Sequence, residues 1–192
     1  DEAEKDACPH FIGRYVKNVE NKPSPKWLRD RLKSVGLRPI SALVDITNYL
    51  SLDHGRPLHV FDADKLNGNL AMRLANNYEK IKALDGKSYN LSNEMIVIAD
   101  HKQAHAIGGV MGGEDSGCTE KTTNVFLEVA IFDPKSIAIT GRKLDLQSDA
   151  RYRFERGVDS TSIEWGVDKA TQMVLALCGG EVSEITKDQL ID

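Results

Sequence analysis

The 192-residue sequence is 41% hydrophobic and 28% charged, enough apolar material for a packed core and too much for a disordered chain. Its formal net charge is −4, from 25 Lys and Arg against 29 Asp and Glu, which argues against a domain that grips RNA by its own electrostatics. No apolar run approaches the roughly 18 residues that span a bilayer and no basic stretch leads into an apolar one, so the expectation is a cytoplasmic chain without membrane contact.

The opening residues Asp1 to Ala7 read as a solvated tail or the edge of an excised piece, with one compact unit over residues 8–192. Phe11 to Val16 has β-favouring residues in partial alternation and predicts a strand. Ser24-Pro25 predicts an N-cap with proline at the first helical position, after which Trp27, Leu28, Leu32 and Val35 recur at helical spacing up to Gly36. A second helix is predicted from Ser41 to about Leu52, with Leu43, Ile46, Thr47 and Leu50 on one face and Gly55 beyond its end.

The middle of the chain predicts strands. Leu70, Met72 and Leu74 alternate, and Asp85-Gly86 between Ile81–Leu84 and Ser88–Leu91 is a hairpin signal. Met95–Ala99 and Val125–Ile131 are short apolar strands, and Asp133-Pro134 opens a helix reaching about Leu144. The last long helix follows Asp159, with Ile163, Val167, Ala170, Val174 and Leu177 on one face and Gly179-Gly180 ending it. Helices flank the strands rather than alternating with them, which predicts an α+β fold.

Cys8, Cys118 and Cys178 are too few and too scattered for a disulfide framework or a metal site and read as buried small hydrophobes. Four other stretches make poor sense as packing alone. His59 follows a tight turn in Gly55-Arg56-Pro57, which is compatible with a histidine satisfied by a backbone carbonyl or with a site residue. Gly108-Gly109-Val110-Met111-Gly112-Gly113 lets backbone approach a ligand or turn sharply; its GGxxGG spacing, with no amphipathic helix behind it, is not a dinucleotide fingerprint. Glu128 is the lone charge in the strand Phe126–Ile131, either facing solvent or buried to bind a donor. Arg151, Arg153 and Arg156 interleave with aromatics before the last helix, as a salt-bridged connector or as a phosphate or ribose site.

In order, VDITNYL (from Val44), GRPLHVFD (from Gly55), GGVMGGE (from Gly108), FLEVAIFDP (from Phe126) and SDARYRFERGVD (from Ser148) resemble the B3/B4 domain of bacterial-type phenylalanyl-tRNA synthetase β subunits. The resemblance runs from about Cys8 to the last helix. It implies an α+β domain built around a β-sandwich of unusual topology, housing a post-transfer editing site that hydrolyses tyrosine from phenylalanine tRNA. It maps the editing pocket onto Arg38, Thr47, Pro57, His59, Val60, Gly109, Glu128, Ser148 and Ala150. Val60 stands where alanine is usual, implying a slightly narrower pocket, and Ser148 stands where threonine is usual, with the hydroxyl kept.

In the implied division of labour, an ionised Glu128 accepts the tyrosine O–H and Gly109 admits a backbone donor, the kind of second sieve that separates two side chains differing by one hydroxyl. His59, expected near its ordinary pKa of about 6.5, acts as base or orients water, while Arg38 and Thr47 position the terminal adenosine or the amino acid backbone. The implied partners are the 3′ end of tRNA(Phe) carrying tyrosine, the rest of the β subunit and the α subunit of a heterotetramer. No cofactor or metal is expected here; ATP and magnesium belong to the aminoacylation site of the parent synthetase. Two rival readings are a non-catalytic structural or tRNA-contacting module and a freestanding deacylase acting in trans.

Overall fold

The structure, a computed structural model, describes residues 2–187. It is α+β, with every strand pairing antiparallel. Strands β1 (His10–Lys17), β2 (His59–Asp62), β9 (Val125–Ile131) and β10 (Glu181–Lys187) form one sheet in the order β10-β1-β9-β2. A second sheet joins β3 (Ala71–Leu74), β6 (Ile96–Ala99), β7 (Ala104–Ile107) and β8 (Met111–Gly112) in sequence order. The predicted hairpin stands apart as β4 (Lys80–Lys82) and β5 (Ser88–Asn90), turning at Gly86 with φ +79°.

Alternation along the first sheet builds two cores. Phe11, Phe61 and Ala130 point to one face and join Met72, Ile96, Ile98 and Ile107 of the second sheet in a shared apolar layer. Val16, Val60, Val125 and Leu127 point to the other face, which helices α3 (Ala42–His54) and α6 (Ser162–Cys178) cover with Leu43, Ile46, Leu50, Ala170 and Val174. The sheet is thus sandwiched between a second sheet and a helical layer.

The helix starts were legible, with one correction. Asp133 caps α4 (Pro134–Lys143), its carboxylate accepting from the Ser136 N–H at 2.8 Å, and Ser41 precedes α3. Ser24, expected to cap α2 (Lys26–Ser34), instead donates from its buried hydroxyl to Asp45 at 2.6 Å, and Pro25 takes the N-cap position. Asp45 also accepts the Ile40 N–H at 2.8 Å, so that carboxylate ties the start of α2 to α3. The opening segment, expected as a solvated tail, forms α1 (Glu2–Ala7), with Ala7 buried in the inter-sheet core. The arginine-rich stretch expected as a connector carries α5 (Asp149–Phe154), capped by the Ser148 hydroxyl accepting from Arg151 N–H at 3.0 Å.

Two mid-helix glycines each make room for an arginine. A Cβ on Gly141 of α4 would fall 2.1 Å from Arg151 Nε, and one on Gly166 of α6 would press on the Arg56 side chain at 3.1 Å. The helix-propensity cost of such a glycine, about 1 kcal/mol, is offset by what it lets in.

Candidate functional site

A cavity of about 520 Å³, a size suited to a small ligand, opens between α3, the β7–β8 turn, the start of β2, strand β9 and α5. Eight of the nine residues singled out in the sequence line it: Thr47, Pro57, His59, Val60, Gly109, Glu128, Ser148 and Ala150. Arg38 does not. It is exposed in the link between α2 and α3, and Ile40, two residues on, reaches the wall instead. The wall also recruits Asn48, Ser51, Leu84, Met111, Phe132 and Phe154, four of them from the same motifs but none assigned to the pocket individually. Phe132 and Phe154 meet edge to face, 5.0 Å between centroids, and form an aromatic side of the cavity.

Glu128 faces inward. It is 6% exposed on the inter-sheet face of β9, and among the described residues no donor reaches its carboxylate. Burial pushes its pKa up to about 7, against the opposing pull of the Arg56 guanidinium. Desolvation outweighs its one cationic neighbour, so the carboxyl titrates far closer to neutral pH than the ionised group expected from the sequence.

His59 sits directly across from Glu128 in the β2–β9 register, so both side chains project from the same face. Its ring packs edge-on against Phe61 at 4.4 Å, and its Nε2 is buried without a hydrogen-bond partner. The residue keeps some exposure, but the shut-away nitrogen dominates its chemistry: burial pushes the pKa down to about 4. The expected value near 6.5 is corrected accordingly, and His59 is a neutral imidazole at pH 7. Gly112 makes room for it, since a Cβ there would lie 2.3 Å from His59 Cε1.

The glycine-rich stretch is a β-turn joining β7 to β8. Val110 N–H donates to Ile107 O at 3.0 Å, and Gly109 takes φ +67°, as the third position of such a turn requires. No acceptor for the Gly109 N–H is found among the described residues, and Gly109 lines the cavity. Ser148 donates to Val110 O at 2.5 Å while capping α5, and thereby fastens α5 to the turn. Its hydroxyl is committed to structure. Thr47 likewise donates to Val44 O at 2.8 Å within its own helix. Val60 lies at the cavity and its side chain also packs in the helix-side core.

The three arginines do not form a free phosphate site. Arg151 is buried, donating to Glu155 at 3.0 Å and to Leu146 O at 2.7 Å. Arg153 contacts Asp149 at 3.4 Å, and Arg156 pairs with Glu155 at 2.8 Å and lies over the Tyr152 ring at 3.8 Å. Sequence reasoning missed Arg56, which is 1% exposed beneath the start of β2. The one signal that pointed to it was Gly166, a glycine inside a strongly periodic helix. A second hollow, about 640 Å³ and lined by Phe11, Tyr15, Phe126, Leu66, Leu70 and Asn69 among others, carries no charged group.

The B3/4 domain family model matches residues 7–179. Phenylalanine–tRNA ligase β subunits are similar at 56% identity in Ruegeria pomeroyi, over 96% of this chain, and at 58% in Mesorhizobium japonicum, over 92%. The chain spans 23% and 22% of those relatives. An N-terminal fragment of the phenylalanyl-tRNA synthetase β subunit from Pyrococcus horikoshii shares the fold, with a TM-score of 0.60 at 14% identity over 95% of this chain and 48% of that one. The chain belongs to the B3/4 domain family, in the form found within phenylalanine–tRNA ligase β subunits.

Proposed function

We propose that this domain is an editing site that hydrolyses the ester joining tyrosine to the 3′ end of tRNA(Phe). The observation that carries the reading is Glu128: a buried carboxyl group with no donor among the described residues, opening into a cavity whose remaining wall is largely apolar. A carboxyl so placed has a ready partner in a phenolic hydroxyl. As carboxylate it accepts the phenol O–H, and as acid it donates to the phenol oxygen. Phenylalanine offers neither bond and leaves the group desolvated and unpaired, which costs more than an ordinary lost hydrogen bond.

In this reading the ring of tyrosine lies against Phe132 and Phe154 with its hydroxyl at Glu128, and the Gly109 N–H adds a second polar contact. His59, neutral and opposite Glu128 at the cavity wall, orients water or a ribose hydroxyl toward the ester carbonyl. A nitrogen of such low basicity is a weak general base, so orientation of water on an already activated ester is its main contribution.

The domain's net charge of −4 supports a division of labour in which other parts of the longer protein hold the tRNA, and in which ATP, magnesium and the α subunit belong elsewhere. Among the described residues no helix is long and apolar enough to cross a membrane. The test is ester loss from Tyr-tRNA(Phe) and Phe-tRNA(Phe), with wild type and Glu128→Ala. Selective loss of tyrosine is expected, with Glu128→Ala eroding the selectivity by about 1.5–3 kcal/mol. Equal or absent hydrolysis of both esters by the wild-type chain and by its parent leaves the module reading in its place.

A further inference from the structure

Arg56 is a cation with an unusual address. It lies between Gly55 and Pro57 in the turn that delivers His59, it is 1% exposed, and it packs between the Phe154 ring, 5.8 Å from its centroid, and Gly166 of α6. One guanidinium nitrogen donates to Ala130 O of β9 and another reaches the Ser162 hydroxyl at 3.4 Å. The first bond has a local cause. Extending the β2–β9 register by two residues sets Pro57 opposite Ala130, and proline has no N–H to offer that carbonyl. The side chain of Arg56 supplies the missing donor and so anchors the point from which β2 begins.

Its charge is less well served. Nε is buried without a partner, and among the described residues no carboxylate lies within ion-pair distance of it. Two anions act on it at longer range, Glu128 and Asp159. Asp159 is exposed and engaged by the Thr161 N–H and hydroxyl, so solvent screens it. Glu128 is the buried one, two residues along the same strand from the carbonyl that Arg56 holds. The other titratable groups around Glu128 are His59 across the strand pair, and Asp149 of α5 and Cys118 on the cavity wall; none of them is a cation at neutral pH.

We propose that Arg56 is a positioning and specificity-determining residue of this pocket: it pins the start of β2 beside β9 and supplies the countercharge that keeps Glu128 an acceptor for a phenolic ligand. The inference rests on the editing reading for its ligand class, and it extends that reading to a residue outside the pocket wall. Desolvation pushes Glu128 toward its neutral form and also lowers the Arg56 pKa to about 10, so each charge depends on the other.

The test separates the hydrogen bond from the charge. Arg56→Gln keeps a donor for Ala130 O and removes the cation; Arg56→Lys keeps the cation. Carbon-detected NMR titration of the Glu128 carboxyl in this chain should show the Arg56→Gln midpoint raised by about one pH unit, with Arg56→Lys near wild type. Binding of tyrosinamide against phenylalaninamide at pH 7.5 should then lose preference about threefold in Arg56→Gln, following the fall in the ionised fraction of Glu128, and regain it in Arg56→Lys. An unmoved midpoint, or no preference between the two amides in the wild type, overturns the proposal. Neither readout needs ester hydrolysis, so a failure of the editing reading is registered separately by the tRNA assay. Should Arg56→Gln not fold, Glu128→Gln in its place should speed exchange of the Arg56 Nε–H several-fold, and unchanged exchange overturns the coupling.

Discussion

Glu128→Gln removes a charge while keeping shape, and its effect on stability should depend on pH in a way the structure fixes. The folded pKa is raised from 4.5 to about 7 by burial. Between those values the folded state holds a proton that the unfolded chain has released. The contribution of the protonated carboxyl is therefore fully present below 4.5 and is lost as pH rises through 7. The ceiling is about 3.4 kcal/mol at 1.36 kcal/mol per pH unit, and about 2.5 kcal/mol of it falls between pH 5 and 8.5. Glutamine, neutral throughout, escapes this loss. Urea unfolding of both proteins at pH 5 and pH 8.5 should show the variant gaining about 2.5 kcal/mol on wild type over that interval, equivalent to several degrees in Tm. Using two pH values cancels any constant packing effect of the substitution. A relative gain below about 0.5 kcal/mol would refute the claim that this carboxyl is buried without a donor.

His59→Ala should slow Tyr-tRNA deacylation by roughly 10²-fold or more with the fold intact, and because the wild-type ring is already neutral above pH 5, any activity limb near pH 7 belongs to Glu128 and should persist in the variant. The same depressed pKa means that His59 contributes stability present above pH 6.5 and lost as pH falls toward 4, so acid unfolding of His59→Ala should begin at lower pH than that of wild type. Gly112→Ala puts a Cβ 2.3 Å from the imidazole and should cut deacylation while circular dichroism stays native; unaltered rates would mean that the ring position does not matter. Ser148→Ala releases Val110 and uncaps α5 at once, for a loss of about 1 kcal/mol in denaturation midpoints, and an unchanged midpoint would show that solvent replaces both bonds.

The parts legible in the sequence were those with enough residues to show a period or a cap. Helix α6 displays its stripe over 17 residues, and Asp133-Pro134 marks a start that the structure repeats atom for atom. The lone charge of Glu128 in an apolar strand left two orientations open, and only the partner strand decided between them. Strand β2 has four residues, α5 six, and neither is long enough to announce itself by periodicity. Strand β10 alternates, but as a polar edge strand it buries little, so no hydrophobic signal marks it. The pKa values of His59 and Glu128 were missed for one physical reason: desolvation is a property of the assembled cavity and leaves no trace in the local sequence. Arg56 was missed likewise, since its burial depends on α6, over a hundred positions away.

The pairing of β1 with β10 sets the first and last described strands side by side at one edge of the sheet, with Ile12 opposite Lys187. Chain segments entering and leaving the domain would therefore pass through neighbouring points, so the unit can be spliced into a much longer polypeptide like a loop in a rope, without stretching either flank. Strand β9, with Glu128 and the carbonyl that Arg56 holds, lies one strand further in from that edge.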